Sequence, residues 1–405
     1  MADTLKARDA KDVEDAVCWA LAEGKTLELV GHGSKRALGR PSQCDFTLDI
    51  SGLSGVTLYE PEELVLSARA GTPIAEIEAL LSDKGQQLAF EPMDYAGVLG
   101  GAAGAGSIGG VLAANLAGPR RITAGAARDH FLGVTAVSGR GEVFKSGGRV
   151  VKNVTGYDLC KLIAGSFGTL AAMTEVTVKT LPRPETEVTV LVPGLDDRCA
   201  IEAMSAVMAS SCDVSAAAHL PAKIATSFDG LHLNKATTAF RLEGVVPSVD
   251  HRKAVLASLL QSHGSVELVD EGHSRALWRD VRDVQPFSAS SSFGGQPLWR
   301  VSTAPARGAE LATRLDSDAQ WYFDWAGGLV WVAMPPNDDA GAAAVRGAVA
   351  AFGGHATLIR APAAVRAAVD VFEPQPAALA GVTRRVKEGF DPKGVLNPGR
   401  MWAGV

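Results

Sequence analysis

The sequence predicts an α+β protein in two parts: a glycine-rich first part, and a second part built as an antiparallel sheet backed by helices. Three observations predict it. Up to Leu181-Pro182-Arg183-Pro184, short strand-like runs alternate with glycine-rich turns. Beyond those prolines, strand and helix patterns follow one another in two successive rounds, the order expected of one or two ferredoxin-like units. The final segment, Phe390 to Trp402, carries Pro392, Gly394, Pro398 and Gly399 and cannot form a long regular element. The expected division is therefore 1–185, a cap over 186–370, and a closing segment 371–405.

In the first part, Val13, Ala16, Val17, Ala20 and Leu21 make a helical stripe over residues 12–24, and Thr26 to Val30 reads as a strand. Strands are expected at Phe46 to Ile50 and Leu64 to Ala70. A helix from Pro73 to Lys84 is announced by Thr72 as N-cap, Pro73 at its first position and Gly85 at its end. Phe131 to Ser138 and Gly141 to Ser146 flank the Gly139-Arg140 turn as a hairpin. In the second part the strands are Glu187 to Val192, Ala239 to Val246, Val266 to Val269, Leu298 to Thr303, Trp321 to Trp325, Leu329 to Ala333 and His355 to Arg360. The helices are Asp196 to Ala209, Val249 to His263, Arg307 to Leu315 and Asp339 to Phe352.

Composition narrows the function. With 405 residues and 47% hydrophobic content, each part can bury its own core. A net charge of -6 and a pI near 5.8 give no field suited to a phosphate backbone, so no nucleic-acid partner is expected. The N-terminus is charged from Asp3 onward, unlike a secretory signal, and the uncharged stretch Ala96 to Gly118 is too rich in glycine for a membrane span. A cytoplasmic protein without direct membrane insertion is expected, any membrane association coming through partners. Cys18, Cys44, Cys160, Cys199 and Cys212 have neither paired nor metal-ligand spacing, so no metal or iron–sulfur site is expected on this chain.

Chemistry concentrates in the glycine-rich turns. Gly31, His32, Gly33, Ser34 and Lys35 follow a strand and can form an anion nest, with the Ser34 hydroxyl and Lys35 ammonium adding donors. A second turn, Gly106-Ser107-Ile108-Gly109-Gly110, opens a helix running to Leu116, whose N-terminal N–H groups favour phosphate. Gly104 to Gly109 formally matches Gly-x-Gly-x-x-Gly, with Asp129 at a suggestive distance. Pro92, Asp94 and Tyr95 interrupt the strand that a Rossmann fingerprint requires, which rejects that reading. Further on, Asn153 to Leu159 reads Asn-x-x-Gly-Tyr-Asp-Leu, and Gly165 to Leu170 reads Gly-Ser-Phe-Gly-Thr-Leu. There Gly156, Gly165 and Gly168 would admit a flat ring at close range.

The ordered set GHGSK, ARAGTPIAEIEALL, GSIGG, AGAARDHFLGVTAV, VTGYDL and GSFGTL resembles the FAD-binding domain of the vanillyl-alcohol oxidase (PCMH-type) family over residues 26–183. With GHGSKRALGR, NLAGPRRITAGAARDHFLG, DWAGGLVW and GGHATLIR added, nearly the whole chain is similar to the smaller FAD-binding subunits of bacterial glycolate oxidases. The resemblance implies a PCMH-type FAD domain of two α+β subdomains under an antiparallel α+β cap, and a C-terminal segment packed near the cofactor. Gly31, Gly33 and Ser34, with Ser107, Gly109 and Gly110, would hold the diphosphate. Gly125 and Asp129 would position adenosine or ribose, and Gly156, Tyr157 and Asp158 would approach the ring. His32, Lys35, Gly106, Ile108, Asn115, Gly168 and Ala172 complete the expected cofactor contacts. Ala171 stands where the family turn has glycine, which loosens the expected contact with the ring's edge.

Some relatives attach FAD covalently through histidine in a Gly-Gly-His-Ser loop, but His32 is displaced by one residue from that register, so non-covalent FAD is expected. The implied function is glycolate oxidation to glyoxylate by a complex, with a catalytic FAD-binding subunit and an iron–sulfur subunit as partners and a 2-hydroxy acid as substrate. The alternatives are a self-sufficient FAD-dependent 2-hydroxy acid dehydrogenase and a non-catalytic scaffold subunit. No catalytic residue stands out. His355 and Arg360 are weak candidates, since five positions along one strand places them on opposite faces, and they read better as structural residues. Trp321, Trp325 and Trp331 read as alternating strand burial.

Overall fold

The computed structural model describes residues 3–149, 156–228, 231 and 233–405. The chain divides into two compact units: Met1–Ala117, Gly125–Arg183 and Pro374–Val405 form the first, and Gly118–Ala124 with Pro184–Glu373 the second. The assignment of Gly118–Ala124 to the second unit has no counterpart in the sequence pattern.

In the first unit, β1 (Asp3–Lys6), β2 (Leu27–Val30) and β3 (Phe46–Asp49) form a parallel sheet in the order β1-β3-β2. The helix Ala10–Ala22 is N-capped by Asp9, whose side chain accepts from Asp12 N, and buries Val13, Val17 and Ala20. These three pack with Leu27, Leu48, Val137 and Ala172 in one core cluster. A five-stranded antiparallel sheet contains β4 (Val56–Glu60), β5 (Val65–Arg69), β7 (Phe131–Ser138), β8 (Val143–Gly147) and β9 (Ala171–Lys179), in the order β4-β5-β9-β7-β8. Two short strands, β6 (Gln86–Gln87) and β10 (Leu181–Pro182), pair antiparallel.

The helix expected from Pro73 spans Ile74–Ser82, with Pro73 at its N-cap and no side-chain cap. Thr72 has a different task. Its hydroxyl donates to Arg69 O (2.7 Å) and accepts from Gly55 N (3.0 Å), tying together two turns at the end of β5.

Residues 374–405 belong to the first unit and complete its parallel sheet. Leu27 N donates to Val395 O (2.7 Å), Asn397 N donates to Leu27 O (2.9 Å), and Leu29 N donates to the Asn397 side chain (2.8 Å). Ahead of this join, a helix not anticipated from sequence, Ala377–Phe390, ends on a buried ion pair. Lys387 Nζ lies 2.7 Å from Asp391 Oδ2 and also donates to Thr169 O and Leu396 O. The Asp391 carboxylate in turn accepts from Val395 N and Leu396 N. Every polar atom of the pair is thus matched inside a region that excludes water.

The second unit is one eight-stranded antiparallel sheet made of two ferredoxin-like halves. The first half has β11 (Thr186–Pro193), β12 (Ala216–Leu220), β13 (Thr237–Gly244) and β14 (Glu267–Val269), with helices Asp197–Met208 and Val246–Leu260. The second has β15 (Leu298–Ser302), β16 (Gln320–Asp324), β17 (Leu329–Ala333) and β18 (His355–Arg360), with helices Gly308–Ala312 and Ala342–Phe352. The sheet order is β14-β11-β13-β12-β16-β17-β15-β18, so each half has the same β-α-β-β-α-β wiring and the halves meet edge to edge. The join is the pair His219↔Phe323. Strand β12, Ala-Ala-Ala-His-Leu, was not expected, because an alanine run buried on both faces shows neither β propensity nor alternation. The helix Glu271–Arg282, also unexpected, lies against β11, where Trp278 Nε1 donates to Thr189 Oγ1 (2.8 Å).

Arg120 anchors Gly118–Ala124 within this unit through a two-point ion pair with Glu243. Burial opposes ionisation of Glu243, but Arg241 and Arg120 outweigh it and hold its carboxyl down at about 2.

Removing one partner of the buried Lys387–Asp391 pair leaves the other charge uncompensated, at a cost of about 3–5 kcal/mol. Asp391→Ala should lower the stability of the first unit by that order, read as an earlier urea transition followed by a probe in that unit. An unchanged midpoint would show that the pair contributes nothing.

Candidate functional site

At the end of β2 the chain turns through Gly31–Arg36 beside the helix Ile108–Ala114, leaving a cleft with about 550 Å³ of empty space including its mouth. Gly31 lies close to the second turn, since a Cβ there would sit 2.8 Å from Ser107 Oγ and the serine hydroxyl would have to turn away. Gly33 has φ +77°, the left-handed turn that makes the loop concave. The backbone N–H groups of Gly31, His32, Gly33 and Ser34 have no acceptor among the described residues. Lys35 Nζ reaches into the same cleft and donates to Ser34 Oγ (3.0 Å). Burial pushes the Lys35 ammonium down to about 8, with Asp94 only partly opposing the shift. A desolvated cation beside a run of unpaired N–H donors fits the diphosphate of a dinucleotide.

The second expected turn works differently. Ile108 N donates to Thr72 O (3.0 Å), Gly109 N to Ala70 O (2.8 Å), and Gly110 N to Ser107 Oγ (3.4 Å), so these amides are directed into the fold. Gly109 is needed because a Cβ would lie 2.7 Å from Ala70 O; a side chain there would break packing before it reached a cofactor. Gly110 does border the cleft, and a Cβ built on Gly106 or Gly110 would lie within 3.6 Å of Lys35 Nζ. No strand precedes Gly104, where Asp94 accepts from Gly104 N (2.7 Å), consistent with rejecting a Rossmann turn.

Several other expected contacts have internal partners. Asn115, in a left-handed C-cap, accepts from Arg128 N (2.9 Å). Asp129 accepts from Ala126 N (2.8 Å), and Gly125 leaves room for that carboxylate, which a Cβ would approach to 2.8 Å. Asp158 caps the helix Leu159–Ile163. The space over Gly168 is filled by Asn397, 2.7 Å from a Cβ built there, so this glycine serves packing and not a ring. Ala172 lies in the core cluster and Ala171 is buried, so neither presents a surface. Tyr157 is 89% exposed, and among the described residues nothing lies within 4 Å of a Cβ built on Gly156. Asn153 lies outside the described residues. His32 borders the cleft, and its Nε2–H donates to Gly71 O (2.8 Å).

Two cleft residues escaped the sequence reading. Asn397 bridges Leu29 N and Phe167 O, and Arg400 donates to Lys35 O (3.1 Å) and Arg36 O (3.0 Å) while facing Glu28 at 3.3 Å. Burial lowers Arg400 despite Glu28. By holding the loop carbonyls inward, Arg400 leaves the N–H side of the turn facing the cleft. The only signal for them was the Asn-Pro-Gly-Arg run itself.

In the second unit, a β-bulge between Leu298 and Trp299 restores register, so Arg360 pairs with Leu298 and His355 with Ser302 on one face of the sheet. The alternation that separated them is corrected by that extra residue. Even so, Arg360 is a structural clamp. It donates to Gln296 O, Phe287 O and Phe293 O, and burial lowers it to about 10. His355 is exposed; crowding by the surrounding chain, together with Arg300, Arg121 and Arg346, holds it below the usual histidine range against a weaker pull from Glu373. Trp331 is buried in β17 and Trp321 donates to Asp197 (2.8 Å), but Trp325 lies beyond strand alternation. It sits in a turn with φ +52°, followed by Ala326 at +54°.

Comparison with known proteins fits this geometry. A family model described as FAD binding domain matches residues 3–147. The chain is 33% identical over 386 residues to glycolate oxidase subunit GlcE of Escherichia coli (strain K12), covering 95% of each chain. It is 29% identical over 184 residues to glycolate oxidase subunit GlcD of Bacillus subtilis (strain 168), covering 45% of this chain and 36% of that one. The solved structure of p-cresol methylhydroxylase with substrate bound superposes with a TM-score of 0.75 at 13% identity, over 98% of this chain and 88% of that one. The fold and the cleft define a PCMH-type FAD-binding protein. This chain belongs to the FAD-linked oxidoreductase family that includes GlcE.

The Lys35 ammonium is charged below about 8 and neutral above it. A bound diphosphate raises that value, so FAD affinity should be full below pH 8 and decline as pH climbs beyond it. Lys35→Met should weaken FAD binding by ~10-fold or more, as expected for a charge-assisted hydrogen bond of about 1.5–3 kcal/mol, and abolish the decline. Titration of apoprotein with FAD from pH 7 to 10 checks this; a pH dependence that survives Lys35→Met removes Lys35 from the site.

Proposed function

We propose that this chain is the FAD-binding subunit of a complex that oxidises glycolate to glyoxylate. The observation that carries the reading is its 33% identity to GlcE over 95% of both chains, which includes both units and the C-terminal segment. The Gly31–Lys35 turn supports it by offering N–H donors and one ammonium to a diphosphate. FAD, when bound, supplies an acceptor for hydride from the α-carbon of a 2-hydroxy acid.

The chain's own residues then hold the cofactor and set its access. Gly31, His32, Gly33 and Ser34 donate main-chain N–H groups, Lys35 supplies the counter-charge, and Arg400 keeps the loop in shape. We assign the cofactor as non-covalent, because the His32 Nε2–H is engaged by Gly71 O and the histidine is out of register for attachment. The five cysteines are scattered in sequence, so the thiolates of this chain would not hold an iron–sulfur cluster, and one that took electrons from FAD would belong to another chain. We assign that acceptor to an iron–sulfur subunit, alongside a second, catalytic FAD-binding subunit. Among the described residues no helix is long and apolar enough to cross a membrane.

Acid precipitation of the purified chain should release FAD into the supernatant; colour retained in the pellet would return a covalent linkage. Glycolate-dependent dye reduction should be slow for the chain alone and rapid once its co-purifying subunits are present. Rapid turnover by the chain alone would instead establish a self-sufficient dehydrogenase. A colourless chain that binds no added FAD would mark a scaffold.

A further inference from the structure

Between Asp94 and Gly106 the first unit makes a loop that is closed from within. Leu99 N donates to Tyr95 O (2.9 Å) and Gly101 N to Ala96 O (2.8 Å), around the short helix Ala96–Leu99. Asp94 spans nearly the whole of it. Its carboxylate accepts from Ala96 N (3.0 Å) at the start and from Gly104 N (2.7 Å) near the end. Two residues later Gly106 O accepts from Ile74 N (2.8 Å), which ties the exit of the loop to the helix Ile74–Ser82. That exit lies against the cation of the cofactor cleft: a Cβ on Gly106 would come 3.6 Å from Lys35 Nζ, and one on Gly110 3.5 Å.

The hydrogen bond made by the Lys35 ammonium goes to a neutral group, the Ser34 hydroxyl (3.0 Å). Other charged groups bordering the cleft are matched with each other: Glu28 pairs with both Arg36 and Arg400. His32, also on its border, donates to Gly71 O. The carboxylate that acts on Lys35 is Asp94, which favours the charged lysine against the burial that opposes it. Two main-chain N–H groups at opposite ends of a closed loop hold that carboxylate in place, so its position is set by the backbone and not by the cation.

We propose that Asp94 is a positioning residue for the cofactor, a backbone-anchored counter-charge that keeps Lys35 an ammonium for the diphosphate, and this rests on the reading of the cleft as the FAD site. Its two effects on a bound diphosphate oppose one another. Asp94 repels the incoming anion, so while Lys35 is charged in any case it adds nothing to affinity. As pH rises, its attraction delays the loss of the lysine proton and extends the range over which the anion is held. Removing the charge therefore leaves binding at low pH intact and brings the decline forward. A residue that merely shaped the loop would weaken binding by the same factor at every pH.

The test titrates full-length apoprotein with FAD by flavin fluorescence from pH 6 to 9. In the unaltered chain the decline in affinity should begin near the Lys35 value of about 8. In Asp94→Asn it should begin about one pH unit lower, the smaller end of what a nearby opposite charge does, with the plateau below it retained. The side-chain NMR signal of Lys35 in apoprotein, assigned as the one missing from Lys35→Met, should titrate with the same displacement. Lys35→Met should show no decline for Asp94→Asn to move. If Asp94→Asn loses its fold by circular dichroism, the isosteric pair Asp94→Glu and Asp94→Gln carries the comparison. Both disturb the loop alike, and the decline should begin at lower pH in the glutamine variant than in the glutamate one. An unmoved Lys35 titration, or a uniform weakening of FAD binding with the onset unchanged, overturns the role of Asp94. The cofactor reading fails separately: a Lys35 signal that shifts with Asp94 while FAD affinity ignores both pH and Lys35→Met would keep the charge pair and remove the diphosphate from the cleft.

Discussion

The Gly31–Arg36 cleft depends on the closure of one strand edge. β2 has β3 on one side, and its other side is completed by residues 395–397, which exchange main-chain hydrogen bonds with Leu27. An open edge here would leave backbone donors of β2 unsatisfied and the turn at its end unsupported. Closure instead supplies three side-chain fixings in succession. Asp391 with Lys387 sets the exit from the last helix, Asn397 bridges Leu29 to Phe167, and Arg400 gathers the carbonyls of the Lys35-Arg36 turn while facing Glu28. The concave N–H surface that fits a diphosphate is a product of those contacts as much as of its own glycines.

Much of this architecture was legible in the sequence. Strands β7, β17 and β18 fall where periodicity placed them, and the two rounds of strand and helix became two halves with identical wiring. What escaped shares physical causes. Strand β12 is an alanine run buried on both sides, so it lacks the alternation that marks a strand. The helix Ala377–Phe390 buries only Lys387, so no broad apolar stripe announces it. Gly118–Ala124 is drawn to the second unit by an ion pair between residues 123 positions apart, a separation at which no local pattern speaks.

The site was legible as a region and less so residue by residue, because glycine serves two purposes that look alike in one dimension. Gly31 and Gly33 shape the loop facing the cleft. Gly109 and Gly168 instead allow the chain to pack against itself, on Ala70 and Asn397. Acidic residues show the same ambiguity: Asp129 and Asp158, placed by resemblance near the nucleotide or ring, serve as caps for short helices. In the second unit, a single bulge reversed the face of Arg360, showing how one unpaired residue defeats an argument from alternation.

The pairing of Leu29 with Asn397 spans 368 positions, and this has a consequence for the birth of the protein. Pro184–Glu373, the bulk of the second unit, emerges from the ribosome as one continuous stretch whose strands meet neighbours of modest separation. The first unit must wait. Residues 27–30 are made well before residues 395–397, so the edge of β2 stays open while the second unit is being synthesised. The Gly31–Arg36 turn gains its support from residues 395–400 only after the whole of Pro184–Glu373 has been made.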